Sequence, residues 1–580
     1  MTDAAAQVEA AKKALAEAEA ALKAAEEAAQ SEPVEAASPV VPTGAASGPL
    51  SAEQIDTIRA GYAFDGPALE MGALVNGDPL PDVPVRIPLA MINRHGLVAG
   101  ATGTGKTKTL QVLAEQLSAN GVPVFAADIK GDLSGIASPG ASNEKLLERT
   151  KSIGQHWVPA ASPTEYFTLG GQGIGVPIRA TVSSFGPLLL AKVLGLNATQ
   201  ESSLGLVFHY ADQAGLPLVD LTDLRAVLQW LVSDEGKPEL KSLGGLSGAT
   251  AGVILRELIA FADQGADVFF GEPEIDTALF LRTTADGTGI VSLLEIPGVQ
   301  DKPALFSTFL MWLLADLFND LPEVGDIDKP KLVFFFDEAH LLFNNASKDF
   351  IDSITQTIRL IRSKGVGIVF VTQTPKDVPG DVLAQIGSRV QHQLRAHTPD
   401  DAKALKSTVS TYPTSGYDLK EVLTSLATGE AIITVMNEKG APSPVAWTRL
   451  RAPQGSMSPT PADQMQATVD ASPLSGTYGT VVDRDSAREI LAVKMNAAAE
   501  ADAREEAEKV AKAQAKEAAR VKADYDKAVR DMERASRPKT TTRTTTRREP
   551  NVLEDVLGSR TGQTVVREVL RGIFSTLKRN

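Results

Sequence analysis

The stretch GATGTGKT, Gly100 to Thr107, limits most narrowly what this 580-residue chain can do. It fits G-x-x-x-x-G-K-[ST], with Gly100, Gly105, Lys106 and Thr107 in the fixed places. Small residues let the backbone N–H groups of Gly100, Ala101, Thr102, Gly103, Thr104 and Gly105 wrap a phosphate at the start of a helix, where the peptide dipoles favour negative charge. Lys106 then reaches the outer phosphates, the Thr107 hydroxyl ligates Mg2+, and Lys108 lies in the same first turn. A short apolar run, GLVAG, precedes the loop and a helix-forming segment follows it, which separates a phosphate cradle from a chance glycine-rich turn. The spacing predicts binding of ATP with Mg2+.

Such a loop needs acids at the end of a neighbouring strand to become a hydrolase, and KLVFFFDEAH supplies them. Asp337 is placed to hold Mg2+ through water and Glu338 to polarise the attacking water, where two isolated acids would merely cap the next segment. The helicases named for a DEAH box carry a Ser-Ala-Thr motif and an arginine-rich motif afterwards. Neither appears here, so His340 reads as a local hydrogen-bonding or packing residue. The next apolar run, GVGIVFVTQTP, ends in Gln373, where RecA-like motors place a γ-phosphate sensor. Between the two runs Arg359 and Arg362 stand three apart, on one helical face. They form either a solvated basic face or an arginine finger aimed at a neighbouring subunit's γ-phosphate. The GGQGIG run at 170–175 lacks a following helix and reads as a turn, and the six histidines show no metal-ligand spacing.

These residues need a sheet to hold them. The runs HGLVAG, VPVFAADI, GIVSLLEI, KLVFFFDE, GVGIVFVTQ and GEAIITVM are mostly apolar throughout, which suits strands covered on both faces. Helical segments intervene, so the class is α/β: a RecA-like P-loop core on a largely parallel sheet, with helical extensions at both ends. The expected organisation is a charged helix or weak coiled coil over 1–30, a linker over 31–59 and the ATPase domain over 60–452. Within that domain a helical insert is expected at about 180–265. A linker over 453–484, a charged helix over 485–535, a basic flexible linker over 536–550 and an amphipathic helix over 551–580 follow.

Composition excludes several classes. There is no cysteine, so disulfides and thiolate metal sites are ruled out, in keeping with a cytoplasmic protein. The N-terminus lacks the apolar core of a signal peptide. The longest apolar stretch, ALFSTFLMWLLADLF, is broken by Asp316 and too short to span a bilayer, so no membrane partner is expected. A net charge of −15 argues against coating nucleic acid over the whole surface and leaves room for a basic channel within an acidic ring.

Taken together, NRHGLVAGATGTGKTKTLQ, VFAADIKGDLSG, VFFFDEAHLLF and VTQTP resemble the HerA/FtsK superfamily of ring ATPases, and most of all its bacterial HerA-like branch of the YjgR type. The resemblance covers about residues 60–450, and the RGIFSTL tail is similar as well. It implies Lys106 and Thr107 on phosphate and Mg2+, Asp337 on Mg2+, Glu338 as catalytic base and Gln373 as sensor. Arg362 matches the trans-acting arginine better than Arg359 does, and Asp128 and Lys130 occupy the tip of the second strand next to the P-loop. Archaeal HerA carries an N-terminal β-barrel that docks a nuclease, and only about 45 residues separate the linker from the P-loop here, too few for that barrel.

Two functions stand open at this point. One is an ATP-driven homo-oligomer, a hexameric ring, moving on double-stranded DNA, with the DNA partner implied by resemblance. The other is an ATP-switched assembly or coupling factor acting on a protein partner through its terminal helices.

Overall fold

The apolar runs become the centre of one twelve-stranded sheet in the computed structural model. It describes residues 48–535 apart from 242–243, 297–302, 326, 344–347 and 438. The expected elements over 1–30, 536–550 and 551–580 lie outside the described residues. The strands are β1 Ala68–Asn76, β2 Asp78–Pro88, β3 Gly96–Ala99, β4 Val124–Asp128, β5 Thr164–Leu169 and β6 Val176–Ile178. They continue with β7 Val291–Glu295, β8 Leu332–Phe336, β9 Val366–Thr372, β10 Ser388–Gln391, β11 Glu430–Val435 and β12 Ala446–Leu450. Their order across the sheet is β2-β1-β12-β11-β10-β3-β9-β8-β4-β7-β5-β6.

From β10 to β6 every neighbouring pair is parallel. From β2 to β10 every pair is antiparallel. The class is therefore α/β with a largely parallel sheet, extended by an antiparallel flank. β11 is buried along its whole length yet antiparallel to both neighbours, so continuous apolarity reported burial and not strand direction.

Helix α1 (Ala52–Gly61) opens the described chain on a capping box of Ser51 and Gln54 and shortens the expected linker. Helix α2 (Lys106–Ala119) follows the P-loop. Between β6 and β7 come α3 (Val182–Val193), α4 (Ala198–Gln213), α5 (Leu221–Val232) and α6 (Gly248–Asp263). Each starts on a side-chain cap, from Thr181, Asn197, Asp220 and Ser247 in turn. Helix α7 (Pro303–Asp320) is the long apolar stretch of the sequence. Phe306, Phe309, Leu310, Trp312 and Leu313 are buried on several sides of it, as in a core helix, and Asp316 accepts a hydrogen bond from Thr277 at 2.6 Å. No described helix is long and apolar enough to cross a membrane. Helix α8 (Lys348–Ile361) leads into β9.

The 453–484 stretch is not a linker throughout. Helix α9 (Ala462–Ala471) buries Met465 and Val469 in the core, and its polar composition hides that anchoring in the sequence. Helix α10 (Ala487–Ala535) begins with Ala487 and Leu491 buried. From Met495 onward it belongs to a separate unit, in which the described side chains are exposed. Pairs such as Lys509–Glu505 at 2.6 Å and Lys512–Glu508 at 3.2 Å line that part, the (i, i+4) spacing that supports a solvated helix.

Candidate active site

Five neighbouring parallel strands, β10, β3, β9, β8 and β4, end on one side of the sheet, where open α/β sheets place ligands. Their ends fall within two residues of one another: Ala99 is opposite Thr372 and Gln391, Phe336 opposite Phe370, and Ala127 opposite Phe336. The loops that leave these ends carry the P-loop, Gln373, Asp337 with Glu338, and Lys130.

The P-loop has the form of an anion cradle. Gly103 (φ 83°) and Gly105 (φ 109°) take left-handed backbone angles, and a Cβ at Gly100 would stand 2.4 Å from that of His392. Gly105 caps α2 with no side-chain hydrogen bond, so the helix start presents its amide groups to an incoming anion. Lys106 Nζ donates to the carbonyls of Gly100 (2.7 Å) and Ala101 (3.2 Å). Burial pulls its pKa below the ordinary lysine range against the opposing charges of Glu338 and Asp337. The charge of an arriving phosphate is the compensation this ammonium lacks.

The loop is held from below by residues that no motif announces. His392, fully buried after β10, donates through Nδ1 to the Thr104 carbonyl (3.1 Å) and accepts at Nε2 from the Thr109 hydroxyl (2.9 Å). Burial, with the Lys106 charge adding, lowers its pKa to about 4, so the ring stays neutral and keeps this one tautomer. Gly429 N–H donates to the same Thr104 carbonyl at 3.0 Å, and Arg395 Nη2 to the Thr102 carbonyl at 3.2 Å. On α2, buried Glu115 accepts the backbone N–H groups of Gln454 and Gly455, both at 2.8 Å, which ties the segment after 453 to the P-loop helix. These contacts depend on the sheet order that sets β10 beside β3, and no local spacing reveals that order.

The two acids differ in environment. Asp337 is pushed up to about 6 by burial and by the neighbouring Glu338 charge, and its Oδ1 accepts the Glu338 N–H at 2.9 Å. Glu338 is buried, with a left-handed φ of 49°, and pairs through Oε1 with Lys130. Burial presses its pKa up, but the Lys130 ammonium, helped by His340 and Lys106, outweighs that and holds it below the usual carboxylate range. His340 Nδ1 lies 3.3 Å from Oε2 without making a hydrogen bond to it.

The remaining expected residues divide. Gln373 stands at the tip of β9 and lines a recess of about 190 Å3 with Ala101, Thr102, Thr374, Lys376 and Arg395. The Lys108 ammonium turns along α2 to Gln111 Oε1 (3.4 Å), toward the charges of Asp132, Asp128 and Glu115. Lys130 is not next to the P-loop strand, because β9 and β8 lie between β3 and β4, yet its side chain spans that distance to Glu338. Arg359, in the last turn of α8, and Arg362, in a 3-10 turn, precede β9 and so stand at the end of the sheet opposite the P-loop. They are not brought to this chain's own site. The donor set fits Mg2+–ATP: an uncapped helix start with a lysine for the phosphates, and Thr107 with the half-buried Asp337 for the ion.

A model of the helicase HerA-like C-terminal family matches residues 74–580. A probable helicase of Methanocaldococcus jannaschii is 30% identical over 362 residues, which cover 59% of this chain and 64% of that protein's length. The DNA double-strand break repair helicase HerA of Sulfurisphaera tokodaii is 23% identical over 386 residues, covering 66% of this chain and 68% of HerA. Among solved structures, the bacterial conjugative coupling protein TrwB aligns with a TM-score of 0.47 at 15% identity, over 70% of this chain and 94% of TrwB. The family match takes in the P-loop, both acids and the sensor strand, and the chain belongs to the HerA-like helicase C-terminal family of P-loop ATPases.

Proposed function

We propose that the protein is an ATP-hydrolysing ring motor that translocates on double-stranded DNA, each site being completed by Arg362 of the adjacent subunit in a hexamer. One observation carries the ring reading. The seven-residue strand β9 separates Arg362 from the sheet end that holds Lys106, a span of about 20 Å at ~3.3 Å per residue. An arginine there serves a neighbour's phosphates and not its own.

In this reading the P-loop amides and Lys106 hold the β- and γ-phosphates, and Thr107 and Asp337 hold the ion. Mg2+, when bound, neutralises phosphate charge and fixes the γ-phosphoryl group. Glu338 accepts a proton from the attacking water as the water oxygen bonds to the γ-phosphorus and the bond to the ADP oxygen breaks. Gln373 orients the outer phosphate from the tip of β9, and Arg362 of the next subunit balances the charge that builds on the γ-oxygens. Support for DNA comes from the names of the relatives, a DNA double-strand break repair helicase and a probable helicase.

A second reading, an ATP-switched coupling factor acting on a protein partner, is favoured by one feature. The exposed part of α10 carries Val510, Val521, Tyr525, Val529 and Met532 among its charges. ATP turnover measured with duplex DNA, single-stranded DNA and RNA across a salt series separates the two. The motor reading expects stimulation by duplex that weakens steeply with salt through counterion release. Absence of stimulation by any nucleic acid at low salt selects the coupling factor.

A further inference from the structure

The cation that meets Glu338 Oε1 lies in the VFAADIKGDLSG stretch, outside the P-loop and the acid pair. Lys130 comes from the turn after β4, and its ammonium is the ion-pair partner of Oε1. The Glu338 main chain is fixed on both sides: its N–H donates to Asp337 Oδ1 (2.9 Å), its carbonyl accepts from Leu341 N–H (2.9 Å), and Ala339 N–H donates to the Val371 carbonyl (2.8 Å). None of these bonds restrains the several torsions of the side chain. At Oε1 that restraint falls to Lys130. The other oxygen, Oε2, is buried without a hydrogen bond, and His340 Nδ1 stands 3.3 Å from it.

The turn that carries Lys130 is itself built to hold position. Asp128 Oδ1 accepts the Lys130 N–H at 3.3 Å and Oδ2 the Leu133 N–H at 2.7 Å. Ser134 Oγ donates to the Gly131 carbonyl at 2.8 Å and accepts Thr460 N–H at 3.0 Å, while the Thr460 hydroxyl donates to the Ser134 carbonyl at 2.7 Å. Asp128 thus sets the turn from the strand, and the segment after 453 braces it from outside.

We propose that Lys130 is a positioning residue for the general base: its grip on Oε1 of Glu338 fixes where the carboxylate stands when it accepts the proton of the attacking water. The proposal rests on the reading of Glu338 as base. A paired carboxylate is a weaker base than a free one. The gain is orientation, since a proton acceptor must lie within hydrogen-bond reach of the water when the phosphorus is attacked.

Three full-length variants test this: Lys130→Met, Lys130→Arg and the double variant Lys130→Met/Glu338→Gln. Lys130→Met is expected to lower kcat about 10- to 100-fold, the scale found when a partner that orients a functional group is removed. ATP affinity and oligomeric state are expected to stay unchanged. Lys130→Arg keeps a cation at Oε1 and is expected to recover part of the rate. In the Glu338→Gln background the Lys130→Met change is expected to cost nothing further, because both changes remove one function. An unchanged or raised kcat in Lys130→Met overturns the proposal, as do fully additive losses in the double variant. Wild-type turnover by Glu338→Gln alone overturns the reading of the base instead, so the two failures are distinguishable. Should Lys130→Met fold poorly, Lys130→Gln, which is polar and uncharged, takes its place with the same expectations.

Discussion

In the proposed mechanism Lys106 and Glu338 divide the work of the site between binding and chemistry, and single substitutions separate the two. The Lys106 ammonium rests on two carbonyls of its own loop and is drawn toward the acids, so its removal takes away the mobile counter-charge of the phosphates. Lys106→Ala is expected to abolish or severely weaken ATP binding in a direct titration. Glu338→Gln is expected to bind ATP and hydrolyse it at least about 10²-fold more slowly, the scale of a lost general base. Retained turnover in Glu338→Gln contradicts the assignment. At this scale the P-loop and the acid pair were legible because their chemistry demands contiguous residues. Lys130 was visible at the tip of the second strand but without a role, and His392 and Arg395 were not visible, because these residues meet the site only through the order of β10, β3, β9, β8 and β4.

Among the elements, β9 is the axis of the arrangement: Gln373 leaves one end of it and the arginines stand before the other. His95 locks that axis to its neighbours. It is buried with a φ of 61°, donates from Nε2 to the Ile358 carbonyl of α8 (2.8 Å) and accepts at Nδ1 from Ile368 N–H of β9 (3.1 Å). Burial lowers its pKa to about 4, with the Arg362 charge adding and the hydrogen bond to Ile358 opposing. An unfolded chain binds a proton here below about pH 6.5, which the folded chain refuses until about pH 4. The stability this histidine supplies is therefore complete above about pH 6.5 and is lost as the pH falls toward 4, by about 1.4 kcal/mol per unit. Asparagine tolerates the left-handed backbone, so His95→Asn is the variant to compare in urea unfolding at pH 7 and pH 5. It is expected to be less stable at pH 7, with a drop between the two pH values smaller than wild type by about 2 kcal/mol. Equal drops contradict the account of the buried neutral ring. Strands β3, β4, β7, β8 and β9 of the parallel core were legible as apolar runs, whereas the short or polar β5, β6 and β10 were not, and β1 and β2 mix polar residues and Pro into an antiparallel hairpin. Only Met465 and Val469 mark α9 as buried, too weak a signal against the Pro, Ser and Thr around it.

For the whole molecule the central claim is that hydrolysis belongs to an assembly and not to a single chain. In the proposed mechanism one chain supplies the phosphate cradle, Asp337 for the ion, Glu338 as base and Gln373 as sensor, while Arg362 lies at the other end of the sheet. A chain that supplies Arg362 to its neighbour cannot complete its own site, so specific activity should rise with protein concentration as the oligomer forms. The most direct measurement mixes two inactive proteins. Arg362→Ala should assemble and bind ATP yet hydrolyse slowly, by a factor on the scale of about 10³ or more for a lost arginine finger. Glu338→Gln fails for a different reason. In a mixture some interfaces pair an intact Glu338 with an intact Arg362 from the neighbour, and ATP turnover should partly return. A mixture that stays inactive while its subunits demonstrably exchange would contradict the shared site.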